Sequence, residues 1–312
     1  MHRGKALIQL TWTILSCIVL SAPAGMEERM NSTKIRTKAF HAVIGDNSPG
    51  PNGHHAGFNG LWSLAPAGTT DNILGDGLAA LNLEHYINGR DEDRENPDVL
   101  FDPRKSPMHL HRKSAARVVL YQPPTAHYGV ESWTEFSTQE PNAIDMAFRC
   151  VPRKDIYPNG WMGVFWATYV KPGEDPYAHF LGYESPEQMK ATWLRTDGTN
   201  IVYSRTANVP LKFPGPMREH AMATTDVKRW AEPFYYCHWG EYAYIVMFDT
   251  DHDVGIYSGD VRPPRSWNPW DFQMNIHQPR VGEEYRLRVR VIFDRFQGRE
   301  WVMEQVRKWG ER

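Results

Sequence analysis

From Tyr285 to Phe293 the chain alternates with a period of two: Tyr285, Leu287, Val289, Val291 and Phe293 fall on one face of an extended segment, Arg286, Arg288 and Arg290 on the other. A helix would scatter both sets around its axis, so the stretch reads as a strand with one buried face. Shorter versions of the same pattern recur over 81–87, 108–113, 116–122, 129–137, 143–151, 161–170, 200–205, 232–239, 242–248, 254–257 and 270–276. Turn formers separate them, as at Pro123–Pro124, Pro141–Asn142, Pro158–Gly160 and Pro172–Gly173, and most intervals are too short for a helix. About a dozen strands without intervening helices must pair antiparallel and stack as two layers. The expectation is an all-β fold, a large antiparallel two-sheet sandwich, with one short C-terminal helix over Arg299–Trp309 that turns Trp301, Val302, Val306 and Trp309 to one side.

No linker or composition shift divides the chain after Phe40, so 40–312 is read as a single β-sandwich domain. The segments Gly45–Gly60 and Leu64–Asp76 are rich in Gly, Pro, Asn and Asp, and read as binding loops or as surface excursions. At the front, Arg3 and Lys5 precede an apolar run over Ala6–Leu20 and a small-residue stretch, Ser21–Ala24. That is the layout of a cleaved signal peptide over 1–24, with an uncleaved anchor or a lipoprotein site at Cys17 as lesser readings. Residues 25–39 are polar and read as a flexible leader. A periplasmic or secreted protein follows, with no stable membrane span once the signal is removed. Export also means oxidising surroundings, in which Cys150 and Cys237 either pair or sit buried separately.

A formal charge of −2 offers no basic field for a polyanion, so nucleic acid is excluded as a partner. Phosphate-cradling Gly loops, zinc-finger spacings and nucleophile elbows are absent from the sequence. What stands out is 12 Trp, 14 Tyr and 13 Phe, more rings than the core of such a chain needs when aliphatics are plentiful, and some are expected to line a ligand surface.

The outward faces of the strands supply the candidates. In 81–87, Asn82, Glu84 and Tyr86 share a face opposite Leu83 and His85, so an amide, a carboxylate and a phenol stand in a row. In 129–137, Glu131, Trp133 and Glu135 share a face, with the two carboxylates about 13 Å apart, too far for the usual pair of a glycoside hydrolase without a partner from another strand. In 270–276, Trp270, Phe272, Met274 and Ile276 face inward, which turns Asp271, Gln273, Asn275 and His277 outward as a hydrogen-bonding row suited to a polyhydroxylated ligand. In 232–239, Tyr235, Tyr236, His238 and Trp239 exceed what one sheet buries. Asp145 and Arg149 interrupt an outward face and can pair with each other; Trp166 and His179 are further candidates. His109 and His111 sit at i and i+2 as in the cupins, but cationic residues follow where that family has its glutamate, so no metal site is assigned and no cofactor is expected.

The strings Tyr128–Thr134, Glu232–Tyr236 and Asn268–Gln273, with Asn82–His85 ahead of them, resemble a group of secreted bacterial proteins similar in architecture to the galactose mutarotase-like supersandwich group. The resemblance covers roughly Phe40 to the end and implies a sugar site on the concave face of one of two large sheets. In mutarotases a histidine acid and a glutamate base open and close the pyranose ring; their Asn–His spacing is missing here, so the nominations rest on chemistry. They are Glu84, His85, Glu131 and His238 as acid–base groups, and Asn82, Tyr86, Trp133, Arg149, Trp166, Tyr236, Trp239, Asp271, Gln273 and Asn275 as substrate contacts. The leading expectation is an exported carbohydrate-active enzyme working on a glycan or free sugar, hydrolase or lyase ahead of epimerase. A non-catalytic glycan-binding module is the alternative, and a metal-dependent cupin-like oxygenase the third. All the nominees are expected to meet in a single saccharide-sized hollow.

Overall fold

The computed structural model of the protein describes residues 30–90, 93, 96–185, 187–196, 201–204, 228–257 and 267–311. The proposed signal peptide lies outside them. A small antiparallel sheet is formed by β1 (Ser32–Arg36), β2 (Phe40–Gly45) and β3 (Gly60–Pro66). The body consists of β4 (Asn82–Ile87), β5 (His109–Ser114), β6 (Arg117–Gln122), β7 (Val130–Gln139), β8 (Ala143–Pro152), β9 (Trp161–Ala167), β10 (Tyr169–Val170), β11 (His179–Tyr183), β12 (Thr192–Arg195), β13 (Ile201–Ser204), β14 (Lys228–Trp230), β15 (Phe234–Trp239), β16 (Tyr242–Asp249), β17 (Asp253–Tyr257), β18 (Asn268–Pro269), β19 (Asp271–His277) and β20 (Tyr285–Arg295). Two single-turn helices, α1 (Pro97–Leu100) and α2 (Asp102–Lys105), precede β5, and α3 (Arg299–Gly310) follows β20.

Hydrogen bonding links the body strands in the order β4-β9-β19-β17-β13-β14-β11-β15-β16-β20-β8-β7-β6-β5, with β12 beside β11. Among the described residues these pairs are antiparallel except β13 with β14. The path folds back so that its two halves face each other. Phe148 of β8 meets Trp166 of β9 edge-on at 4.8 Å, and Phe248 of β16 meets Phe272 of β19 at 5.0 Å. Leu83, Val164, Trp166 and Met274 from one half join Phe148, Val246, Leu287, Val289 and Phe293 from the other in one core. This is the expected all-β, antiparallel two-sheet sandwich.

The helix α3 sits on the outward side of the larger half. Val302 is fully buried there, and Trp301, Met303, Val306 and Trp309 pack against Phe234, Ile245, Met247 and Ile292. Ala143 and Ala243, small and on the same face, leave the helix room to approach.

Several local expectations change. Residues 30–39 are not a loose leader throughout: β1 pairs with all of Phe40–Gly45 except Phe40 itself, and buries Ile35, because Thr33 and Ile35 alternate inward within a stretch whose lysines and arginine disguise the period. The loop expected over 64–76 begins inside β3. The strands β11, β12 and β14 are short and were not read from the sequence. The run 161–170 breaks at Thr168, whose backbone N–H donates to Asp271 Oδ1 at 2.7 Å instead of to a neighbouring strand. Cys150 and Cys237 are free and buried, so the bridge is not formed.

Candidate functional site

The register divides the nominated residues between two outward faces. On the smaller half, β4 carries a bulge between Leu83 and His85, where Leu83 opposes Trp166 and His85 already opposes Phe165. Glu84 is the extra residue. A strict alternation puts His85 with Leu83, but one inserted residue reverses the pattern from that point on, so His85 joins Asn82 on the outward face and Tyr86 turns into the core. Tyr86 is fully buried, as is Trp166, which stacks on Phe272. Neither can contact a substrate, and their assignment as substrate contacts is corrected accordingly.

The bulge concentrates polar groups on one carboxylate. Glu84 Oε2 accepts from Tyr169 Oη at 2.7 Å, Asn82 Nδ2 at 2.9 Å and Arg104 Nη1 of α2 at 3.3 Å. His85 Nε2 lies 3.0 Å from Glu84 Oε1. His85 Nδ1 is 2.6 Å from the Leu100 carbonyl, which only accepts, so Nδ1 carries hydrogen and the Nε2···Oε1 contact needs a second one. Burial pushes the Glu84 carboxyl up, but the hydrogen bond and charge of His85, the charge of Arg104 and the Tyr169 hydroxyl outweigh it and hold the group below its ordinary value. Asn59 clamps the strand from below, donating to Asn82 Oδ1 at 2.9 Å and accepting from the Leu83 N–H at 3.0 Å. Arg104 lies 3.9 Å from the Phe58 ring centroid. Both carboxylate oxygens of Glu84 thus have protein partners, which suits an anchor that ties α2, β4 and β10 together.

Asp271, Gln273 and Asn275 share this outward face, yet Gln273 and Asn275 have 0% exposure and Asp271 only 4%. Gln273 Nε2 donates to Asn275 Oδ1 at 2.6 Å. Alternation separates the two faces of a strand without saying whether the second is wet, and here it is covered. The expected solvent-facing row for a sugar is therefore an interior one.

The larger half presents a different arrangement. Across five neighbouring strands, His109 of β5 opposes Tyr121 of β6, which opposes Trp133 of β7, then Arg149 of β8, then Arg286 of β20. Directly opposed positions stand close enough for side chains to touch, so the register builds one transverse row of flat groups. Arg149 lies 3.6 Å over the Trp133 ring, Tyr121 is 5.4 Å from Trp133 on the side of β6, and His109 stacks on Tyr121 at 6.3 Å. The next outward row, two residues along each strand, contains His111, Val119, Glu135, Ala147, Arg288 and Asp249. Its small members, Val119 and Ala147, help floor a cleft of about 1010 Å³ lined by Trp133, Tyr121 and Arg149. Among the described residues, four basic side chains, Lys113, Arg149, Arg286 and Arg288, line it together with four carboxylates, so their charges balance. Tyr121, Arg286 and His252 were not singled out from the sequence, although the outward phase of Tyr121 and Arg286 was readable from the alternation.

Glu131 borders this face. Tyr121 Oη donates to its Oε1 at 2.8 Å and Arg153 Nε to its Oε2 at 3.0 Å. Burial pushes the Glu131 carboxyl up, but those two hydrogen bonds prevail and keep it below its ordinary value. Asp145 does not pair with Arg149: it takes a two-point contact from Arg290, at 2.5 and 2.6 Å, while Arg149 bonds Glu284 at 3.0 Å. The reason is register, because Arg290 directly opposes Asp145.

Tyr236, His238 and His179 gather elsewhere on the same outward side, at the β11–β15 pair, where His179 opposes Tyr236. His179 Nε2 is 2.7 Å from Asp175 Oδ2. Trp239 turns inward and packs partly buried against the core. The nominated groups therefore occupy three places, Glu84 with His85, Trp133 with Arg149, and Tyr236 with His238, and do not meet in one hollow. His109 and His111 acquire no third metal-binding neighbour among the described residues. No described helix is long and apolar enough to cross a membrane.

No protein-family profile matches the chain, and no curated protein matches its sequence. Among solved structures it is similar to a protein provisionally named aldose 1-epimerase from Escherichia coli K12, with 10% identity and a TM-score of 0.49 over 85% of this chain and 100% of that one. It is similar to a galactose mutarotase-like protein from Lactobacillus casei ATCC 334, with 10% identity and a TM-score of 0.43 over 84% of this chain and 99% of that one. A 4-alpha-glucanotransferase from Thermococcus litoralis has 10% identity and a TM-score of 0.46, over 87% of this chain and 38% of the other.

Proposed function

We propose that the protein is an exported carbohydrate-active protein that holds a glycan in the cleft beside Trp133. The observation that carries this reading is the cross-strand row Tyr121, Trp133, Arg149 bordering a cleft floored by Ala147. A volume of about 1010 Å³ is at the top of the range of roughly 300–1,000 Å³ typical of ligand pockets. Rings supply apolar surface for the C–H faces of a sugar and polar edges for its hydroxyls. Balanced donors and acceptors around the cleft suit neutral hydroxyl groups better than a polyanion, which would need an excess of one sign. The Glu84 and His85 pair lies on the outward face of the opposite half and is out of reach of a ligand held here, which favours glycan binding as the primary role.

A second reading, an acid–base enzyme acting on the held glycan, draws support from His252. It lines the same cleft as Glu135. Burial lowers the His252 pKa, against the opposing pull of Asp251, so the imidazole is neutral near pH 7 and able to accept a proton.

Affinity electrophoresis against a panel of neutral and acidic polysaccharides tests the binding role. Retardation by at least one glycan, weakened about tenfold in Trp133→Ala, is the expected result, in line with about 1.4 kcal/mol for a tenfold change. If no polysaccharide retards the wild-type protein, or if Trp133→Ala is retarded equally, the reading fails. Release of reducing ends or of unsaturated uronates, lost in His252→Ala, would select the enzymatic form.

A further inference from the structure

We propose that Asp175, His179 and His238 form a binding site for one divalent transition-metal ion of the zinc class, separate from the glycan cleft. One ligand atom from each of the three residues lies within 4.8 Å of those of the other two. Among the described residues this group alone meets that condition. Metal-bound atoms about 2.0–2.2 Å from an ion stand roughly 3.4 Å apart in tetrahedral geometry, so small side-chain rotations close the set.

The backbone brings the ligands together. His179 begins β11 directly opposite Tyr236 of β15, and His238, two residues further along β15, projects from the same outward face. Asp175 lies just ahead of β11, and its Oδ2 is already 2.7 Å from His179 Nε2. Aromatic rings hold both imidazoles: Tyr236 stacks on His179 at 5.1 Å, and Phe296 meets His238 edge-on at 4.4 Å. Such a shell restricts rotation and shields the ion from solvent, as the surroundings of built metal sites do.

Two imidazoles with one carboxylate select a borderline ion such as zinc or cobalt over calcium or magnesium, which prefer an all-oxygen set. Burial lowers the pKa of His179, opposed by Asp175, and of His238, so both rings are available in the neutral form a metal requires. Arg299 and Arg195 are near enough to oppose a cation, but each is engaged by rings. Arg299 Nε donates to Tyr236 Oη at 3.2 Å and its guanidinium lies 5.0 Å over Trp193, while Arg195 lies 4.4 Å over Tyr177. With three protein ligands a fourth position is left for water or a substrate oxygen, the layout of catalytic rather than structural zinc sites.

The test uses untagged protein stripped with chelator and titrated by calorimetry with zinc chloride, and separately with cobalt chloride monitored by visible absorption. One ion per chain and the absorption of low-symmetry cobalt are expected. His238→Ala and Asp175→Asn weaken binding at least tenfold, while His109→Ala with His111→Ala leaves it unchanged. Zinc raises the melting temperature of the wild type and not of His238→Ala, since an ion that binds only the folded state stabilises it. Should His238→Ala fail to fold by circular dichroism, His238→Gln at this half-buried position is the substitute. Absence of stoichiometric binding to the wild type, or wild-type affinity in folded His238 and Asp175 variants, overturns the proposal and leaves a plain His–Asp hydrogen bond.

Discussion

Removing the Glu84 carboxylate separates two costs that are usually confounded. In Glu84→Ala the Tyr169 hydroxyl, the Asn82 amide and the His85 Nε2–H lose an acceptor in a site where Glu84 itself is only 5% exposed. Arg104 loses its counter-charge as well. Breaking a buried ion pair from one side costs about 3–5 kcal/mol. In Glu84→Gln the amide oxygen still accepts at the Oε2 position, and the new NH2 donates to His85 Nε2, which reverts to a lone pair while Nδ1 keeps donating to the Leu100 carbonyl. Only the charge assistance is lost and no donor is left without an acceptor, so the cost stays below that of the alanine variant. Urea unfolding at pH 7 reads both. At a slope of about 3 kcal/mol per molar, the alanine variant shifts the midpoint by about 1–1.7 M and the glutamine variant by less. Acid titration adds a check of sign. A carboxyl whose pKa is lowered on folding stabilises the protein above its ordinary value of 4.5 and loses that contribution as pH falls through the lower folded value. Wild type therefore converges on Glu84→Gln in acid. An alanine variant within 1 kcal/mol of wild type, or a glutamine variant as damaged as alanine, would refute the convergence of donors on Glu84.

Gly45→Ala places a Cβ 2.0 Å from Trp62 Cε2, forces the indole or the β2 backbone to move, and costs about 1–3 kcal/mol, seen as a lower melting temperature. The pKa values of His179, His238 and His252 are lowered, chiefly by burial. Each is a base that the unfolded chain protonates more readily, so metal-free protein loses stability as pH falls through the ordinary value of 6.5 and regains it above; denaturant midpoints at pH 8, 6.5 and 5.5 should decline in that order. Cys150 and Cys237, both buried, react with Ellman's reagent only after unfolding, and reaction of either in the native state would contradict their burial.

Most of the sandwich was legible because alternation survives wherever one face is dry and the other wet, as in 285–293. It failed in three instructive ways. At β4 a single bulged residue inverted the phase after Leu83, exchanging the roles of His85 and Tyr86. At β19 the alternation was read correctly and its meaning was not, since Gln273 and Asn275 face away from the core and are still buried. The strands β11 and β12 are too short to show a period, and with them went Asp175 and much of the case for His179. The Trp133 row was half visible: its members were individually outward, but their contact depends on strand register, which no single strand encodes.

The helix α3 has a consequence for how the chain must be handled. Phe234, Ile245, Met247 and Ile292 emerge during synthesis before Arg299–Gly310 arrives to roof them, so for that interval the half-finished sheet is adhesive on both sides. A truncation just ahead of Arg299 would yield a clumping product and not merely a shorter one, and a bulky fusion attached close behind Gly310 would compete with the helix for its seat.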